Sequence, residues 1–135
     1  MSCKNENMKM IELHENGLDI RFRVRENGVV ELADFSSQEV KKAVMEVKED
    51  ICYPVVEIHR SGTGSLNMHA YKNNINQSSV DFVYENHGLK EQKGGKELEI
   101  VMVSPEKLKA VYHMRLFDGV PAVQTWTEII NEGSE

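Results

Sequence analysis

A mainly β chain folded as an antiparallel sandwich, with one short helix near residues 37–49, is what this sequence predicts, and three observations predict it. The first is a two-residue hydrophobic period: within 18–25, Leu18, Ile20, Phe22 and Val24 share one parity while Asp19, Arg21, Arg23 and Arg25 share the other, so a strand places them on opposite faces. The second is the turn dipeptides Asn16-Gly17, Asn27-Gly28 and Asp118-Gly119 between such stretches, since positive φ in a tight hairpin turn favours Asn, Asp and Gly. The third is cadence. Periodic stretches recur with turns between them, in a series expected to form eight or nine short strands, which suits an antiparallel sandwich.

Taken in order, residues 8–13 alternate and meet the turn at Asn16-Gly17, 18–25 form a strand with one wet face, and 29–35 complete three consecutive antiparallel strands. The rhythm then changes. Val40, Ala43, Val44 and Val47 recur at three and four residues, Ser36 and Glu39 have capping-box spacing, and Lys41, Lys42, Glu46, Lys48 and Glu49 lie opposite. That apolar stripe is narrow enough to be used up by one packing contact, so the helix is expected to close one end of a sheet. Strand periodicity returns at 53–60 and again at 80–87. Between them come the glycine and serine loop 61–65, a short strand at 67–72 and a polar loop at 73–79. Lys93-Gly94-Gly95-Lys96 makes a turn, 98–103 form a strand stopped by Ser104-Pro105, and 108–117 pair as a hairpin with the final strand from Val120. In that last strand Val123, Thr125, Thr127 and Ile129 oppose Gln124, Trp126, Glu128 and Ile130, and the stretch from Asn131 to Gly133 stops it.

A chain of 135 residues fits one domain, 1–135, large enough to bury a core without staples. Cys3 and Cys52 do not make a secreted disulfide framework and are read as free thiols. With 16 Lys and Arg against 22 Asp and Glu, the net charge of −6 and the lack of any basic block exclude a nucleic-acid footprint. No apolar run approaches the roughly 20 residues that span a bilayer, and the first seven residues lack a signal-peptide core, so the expectation is a cytoplasmic protein without a membrane partner.

Most catalytic chemistries find no foothold. The loop at Ser61-Gly62-Thr63-Gly64 is followed by neither a GK[ST] sequence nor a helix, and it lacks the order of a nucleophile elbow. His14, His59, His69, His87 and His113 match neither zinc-finger nor metalloprotease spacing, so no metal and no cofactor are expected; solvent-facing or hydrogen-bonded strand histidines are the default. No two carboxylates stand out as a glycosidase acid and base, and most are expected to be solvated charge. Aromatic and polar residues do gather in type. Tyr71, Tyr84, Tyr112 and Trp126 accompany His69, Lys72, His87 and His113, and a sugar site needs aromatic faces for pyranose C–H groups beside hydrogen-bonding groups for the hydroxyls. Against that stands the ordinary use of aromatics as core and cross-strand residues.

The order of motifs points further. Pro54-Val55-Val56-Glu57-Ile58-His59-Arg60-Ser61-Gly62, His69-Ala70-Tyr71-Lys72, Ser78-Ser79, Tyr84-Glu85-Asn86-His87, Gly95-Lys96-Glu97-Leu98-Glu99-Ile100, Tyr112-His113, Asp118-Gly119 and Trp126-Thr127-Glu128-Ile129-Ile130-Asn131-Glu132-Gly133 together resemble the amino-terminal domain of glycoside hydrolase family 36 α-galactosidases. The resemblance covers nearly the whole chain. It departs at Ala70, where the family carries Gly, and at Gln124, where the family carries Arg. It implies the start of a galactose-mutarotase-like β-supersandwich preceding a (β/α)8 barrel that holds the catalytic aspartates of a retaining mechanism. On that resemblance the chain is a non-catalytic leading module of a larger glycosidase. Its implied partners are the parent chain's barrel, a homo-oligomer and an α-galactoside, with His69, Tyr71, Lys72 and Trp126 as candidate sugar-binding residues. The competing expectation is a stand-alone carbohydrate-binding or protein-interaction domain.

Overall fold

The computed structural model describes residues 9–37, 54–58 and 81–133. Among these residues seven strands run in sequence: β1 (Lys9–Glu15), β2 (Leu18–Val24), β3 (Val30–Ser37), β4 (Val83–Gln92), β5 (Gly95–Val103), β6 (Leu108–Phe117) and β7 (Val120–Asn131). They form two antiparallel meanders, β1-β2-β3 and β4-β5-β6-β7. The expected mainly β sandwich is therefore the observed one. Of the helix expected near 37–49, Ser37 ends β3 and the remainder lies outside the described residues, as do Cys3, Cys52, His59 and the segment 61–79.

Turn chemistry sets the registers. Asn16 and Gly17 both have positive φ, 55° and 81°, as a type I′ turn requires, and β1 pairs with β2 from Glu15↔Leu18 to Lys9↔Val24. Asn27-Gly28 works differently. Only Gly28 enters the left-handed region, and the Asn27 Oδ1 accepts the Val29 N–H at 3.0 Å, giving a longer turn closed by the Arg25 N–H to Val29 carbonyl bond. Gly28 also sits under β4: an added Cβ would lie 2.7 Å from Val83 Cβ, and its carbonyl accepts the Tyr84 N–H at 2.8 Å.

The inner faces make the core. Leu18, Ile20, Phe22 and Val24 of β2 face Leu98, Ile100 and Met102 of β5 and Ala110, Tyr112, Met114 and Leu116 of β6, all in one buried cluster. Phe22 and Tyr112 meet edge to face at 5.7 Å, the geometry ring quadrupoles favour. Polar bonds tie the meanders at both ends: Lys96 Nζ donates to Glu15 Oε1 at 2.6 Å, the Gly119 N–H to Asn16 Oδ1 at 2.9 Å, and Lys9 Nζ to the Tyr84 hydroxyl at 2.7 Å. The hydrogen bond to Glu15 holds the Lys96 ammonium above its ordinary range.

Two expectations fail here. The face of strand 18–25 expected to be wet is mostly covered: Asp19, Arg23 and Arg25 are buried and only Arg21 is partly exposed. Water is replaced by paired charge, because Arg23 Nε and Arg25 Nη1 converge on the Glu31 carboxylate of β3 at 3.1 and 3.3 Å, and His14 Nδ1 lies 2.6 Å from Asp19 Oδ1. The described part of the strand expected at 53–60, residues 54–58, is bent instead. Pro54 has no N–H to offer a ladder, and the Val55 N–H donates to the Val30 carbonyl of β3 at 2.8 Å. Val56 is buried and Val55 and Ile58 pack against the core, so these residues cover apolar surface without alternating.

Two boundaries also shift. The strand expected at 80–87 begins at Val83 and runs on to Gln92, with Phe82 a core residue before it, and the one at 98–103 begins at Gly95.

Candidate functional site

The outer face of the four-stranded sheet carries a polar cluster that strand pairing assembles. Glu97 and Glu99 share a parity of β5 opposite to the core residues Leu98 and Ile100. The β5–β6 register sets Glu99 beside His113, and the β6–β7 register sets His113 beside Trp126. His113 is the hub. Its Nδ1 lies 3.2 Å from Glu97 Oε2 and 3.7 Å from Glu99 Oε1, and its Nε2–H donates to Glu128 on β7. The indole of Trp126 lies flat on the imidazole, with centroids 4.8 Å apart and planes 5° from parallel. Under this lid His113 is only 5% exposed, while Trp126 itself is 36% exposed.

From β4, Lys90 Nζ reaches Glu99 Oε1 at 3.1 Å and Gln92 Nε2 reaches Glu97 Oε1 at 3.3 Å. The second bond uses one oxygen of Glu97 and leaves Oε2 toward the imidazole. Such an arrangement has two chemical capacities: an aromatic plane open to a ring ligand, and converging oxygen and nitrogen donors able to hold a cation.

Other histidines have simpler settings. His87 Nδ1 accepts from the Tyr84 hydroxyl at 2.8 Å, and desolvation followed by the Lys9 ammonium holds its imidazole below the usual range. Tyr112 belongs to the inner face. Burial pushes its phenol above the ordinary value, against a hydrogen bond with Thr125 that draws it down.

Of the four sugar-binding candidates, Trp126 is placed on this outer face, and His69, Tyr71 and Lys72 lie outside the described residues. The sequence reading missed Glu97, Glu99 and Glu128, and it took most carboxylates as solvated without marking Asp19, Glu31 and Glu97, which are buried. The available signal was Glu97-x-Glu99 on a charged strand face, with His113 returning across the Ser104-Pro105 turn; no local motif spacing contains it.

The strand β7 gives the module its open side. Thr125, Thr127 and Ile129 carry the parity that pairs with core residues Met114, Tyr112 and Ala110, yet all three are exposed, Ile129 at 53%. Val120, Trp126 and Ile130 are exposed as well, and β7 is an edge of its sheet among the described residues.

Fold and open edge together define a class of antiparallel β-sandwich module with one incompletely covered sheet. Within that class the chain shares its fold with part of the GH36 α-galactosidase AgaA from Geobacillus stearothermophilus: the alignment has a TM-score of 0.59 and 14% identity and covers 94% of this chain and 23% of that one. A substituted form of AgaA in complex with 1-deoxygalactonojirimycin matches at TM-score 0.59 and 12% identity, and another in complex with raffinose at 0.57 and 12%. The chain thus spans about a quarter of the length of the enzymes it resembles. No family model and no curated protein matches it in sequence. No helix among the described residues is long and apolar enough to cross a membrane.

Proposed function

We propose that the chain acts as the non-catalytic amino-terminal sandwich module of an α-galactosidase-like glycoside hydrolase, with the domain spanning residues 1–135. It seats a catalytic barrel, contributes to oligomer contacts and lends contacts to a galactoside. One observation carries the reading: the core-facing row of β7 is uncovered, as expected of a sandwich that continues into further strands or a neighbouring domain. The likeness in fold to AgaA supports it. Catalysis belongs to the barrel in this reading, and the sequence expectation of a cytoplasmic protein goes with it.

The test is the intact mass of the natural protein together with an assay on this chain alone. A product several-fold heavier than 15.4 kDa, and no hydrolysis of a chromogenic α-galactoside by the isolated chain, are the expected results. A natural product of about 15.4 kDa, or hydrolysis by the chain alone, rejects the reading.

Trp126 favours a second reading, a stand-alone carbohydrate-binding domain, because its indole lies exposed beside carboxylates. His69, Tyr71 and Lys72 are its other candidate contacts. Galactose or raffinose then quenches Trp126 emission with saturation, and a flat titration removes the idea. A self-associated form in which a second copy covers β7 fits either reading.

A further inference from the structure

The hub of the outer-face cluster has too many acceptors for its protons. With its Nε2–H given to Glu128, a neutral imidazole presents a lone pair at Nδ1, and that lone pair faces carboxylate oxygens of Glu97 and Glu99 at 3.2 and 3.7 Å. Acceptor then opposes acceptor at a buried nitrogen. Either a second proton or a cation must occupy the space between them.

We propose that Nδ1 of His113 and the carboxylates of Glu97 and Glu99 form a binding site for one divalent first-row cation, Zn2+ or Mn2+. The three ligand atoms lie within 4.8 Å of one another. A tetrahedral ion with bonds of about 2.0–2.1 Å sets its ligands about 3.3 Å apart, so the observed separations from Nδ1 need only small side-chain adjustments. Imidazole with two carboxylates suits Zn2+ and Mn2+ by donor type, and three protein ligands leave a further position to water.

The surroundings match those of a ligating histidine. Metal-bound imidazoles give their other N–H to a carboxylate, which fixes tautomer and ring orientation, and Glu128 occupies that role. Gln92 orients Glu97 through the oxygen that does not face the ring. Trp126 shields the imidazole from water. The ligands stand on two adjacent paired strands, so little ordering is required on binding. Lys90 is the competitor: its ammonium neutralises Glu99, but its side chain is 62% exposed and can swing into solvent when a cation arrives. This inference stands apart from the glycosidase reading, since it concerns neither a sugar nor the missing barrel.

The experiment titrates the full chain, stripped with a chelator, with Zn2+ and separately with Mn2+. Calorimetry reads the stoichiometry, and emission of Trp126, the single tryptophan, reports the site. One equivalent is expected to bind for at least one of the two ions, with a change in emission. The double variant Glu97→Gln and Glu99→Gln, its fold checked by far-UV circular dichroism, loses that binding. Glu128→Gln weakens it by about 10–100-fold, and Lys90→Ala tightens it. Two results overturn the proposal: no saturable binding of either ion to the parent chain, or binding undiminished in the folded double variant, which would assign the metal to other histidines. If the double variant does not fold, nitrogen NMR of the parent chain decides. A shift of His113 Nδ1 with Zn2+, or selective broadening of that signal by Mn2+, supports the site, and a signal that neither ion shifts or broadens rejects it.

Discussion

The outer faces of the two sheets each bury ionisable groups, and they do so with different partners. On the three-stranded sheet the guanidiniums of Arg23 and Arg25 close on the carboxylate of Glu31, which is 1% exposed. On the four-stranded sheet three carboxylates surround one imidazole. The first arrangement satisfies its anion with donors from its own chain, so it behaves as a lock within the fold. The second sets three carboxylates around one imidazole, and the cation it holds, the Lys90 ammonium on Glu99, is on a side chain 62% exposed. Burial alone therefore does not mark a site; what surrounds the buried group does.

The comparison can be broken most sharply at Glu31. Replacing it with Ala removes the carboxylate on which two buried guanidiniums converge, and the expected loss is about 3–5 kcal/mol in urea unfolding. A loss below about 1 kcal/mol, the level of an exposed pair, would show that the lock is a surface ion pair after all.

The inner face gives a smaller effect with a pH signature. Tyr112→Phe removes the hydrogen bond with Thr125 and is expected to cost about 1 kcal/mol near neutral pH. The folded phenol titrates above its unfolded value of 10.0. Its contribution is thus fully present below pH 10.0 and is lost as pH rises through the folded value. The parent chain should lose stability in that alkaline window, and Tyr112→Phe should lose less; equal slopes would remove the assignment.

The smallest effect separates the two outer faces directly. In chelator, Glu97→Gln relieves crowding among carboxylates while keeping the shape of the side chain, so a change within about 1 kcal/mol of the parent, in either direction, is expected. A cost matching that of Glu31→Ala would make both faces structural locks and end the distinction.

How far the sequence displayed this depends on what each feature needs. The meanders were legible because period two and the turn dipeptides are local: Leu18, Ile20, Phe22 and Val24 are core residues, and β6 and β7 pair as expected. The fate of Arg23 was not legible. Alternation says which side a charge is on, and only the neighbouring strand, through Glu31, says whether that side is wet. The bend at 54–58 was hidden because its valines and isoleucine have the composition of a strand while Pro54 starves the ladder. The His113 cluster depends on register across two strand pairs, which no single-chain spacing rule encodes, so Trp126 and His113 drew notice by residue type while their stacking and the carboxylates around them did not.

The bonds that stitch the meanders end to end also set a timetable. Lys96 lies 81 residues beyond Glu15, its partner, and synthesis at about 5–20 residues per second puts about 4–16 s between them. For that interval the nascent amino-terminal meander carries Ile20 and Phe22 without the strands that bury them. On the ribosome this protein is for some seconds a sticky half, and its yield in a cell should follow the supply of chaperones that bind such surfaces.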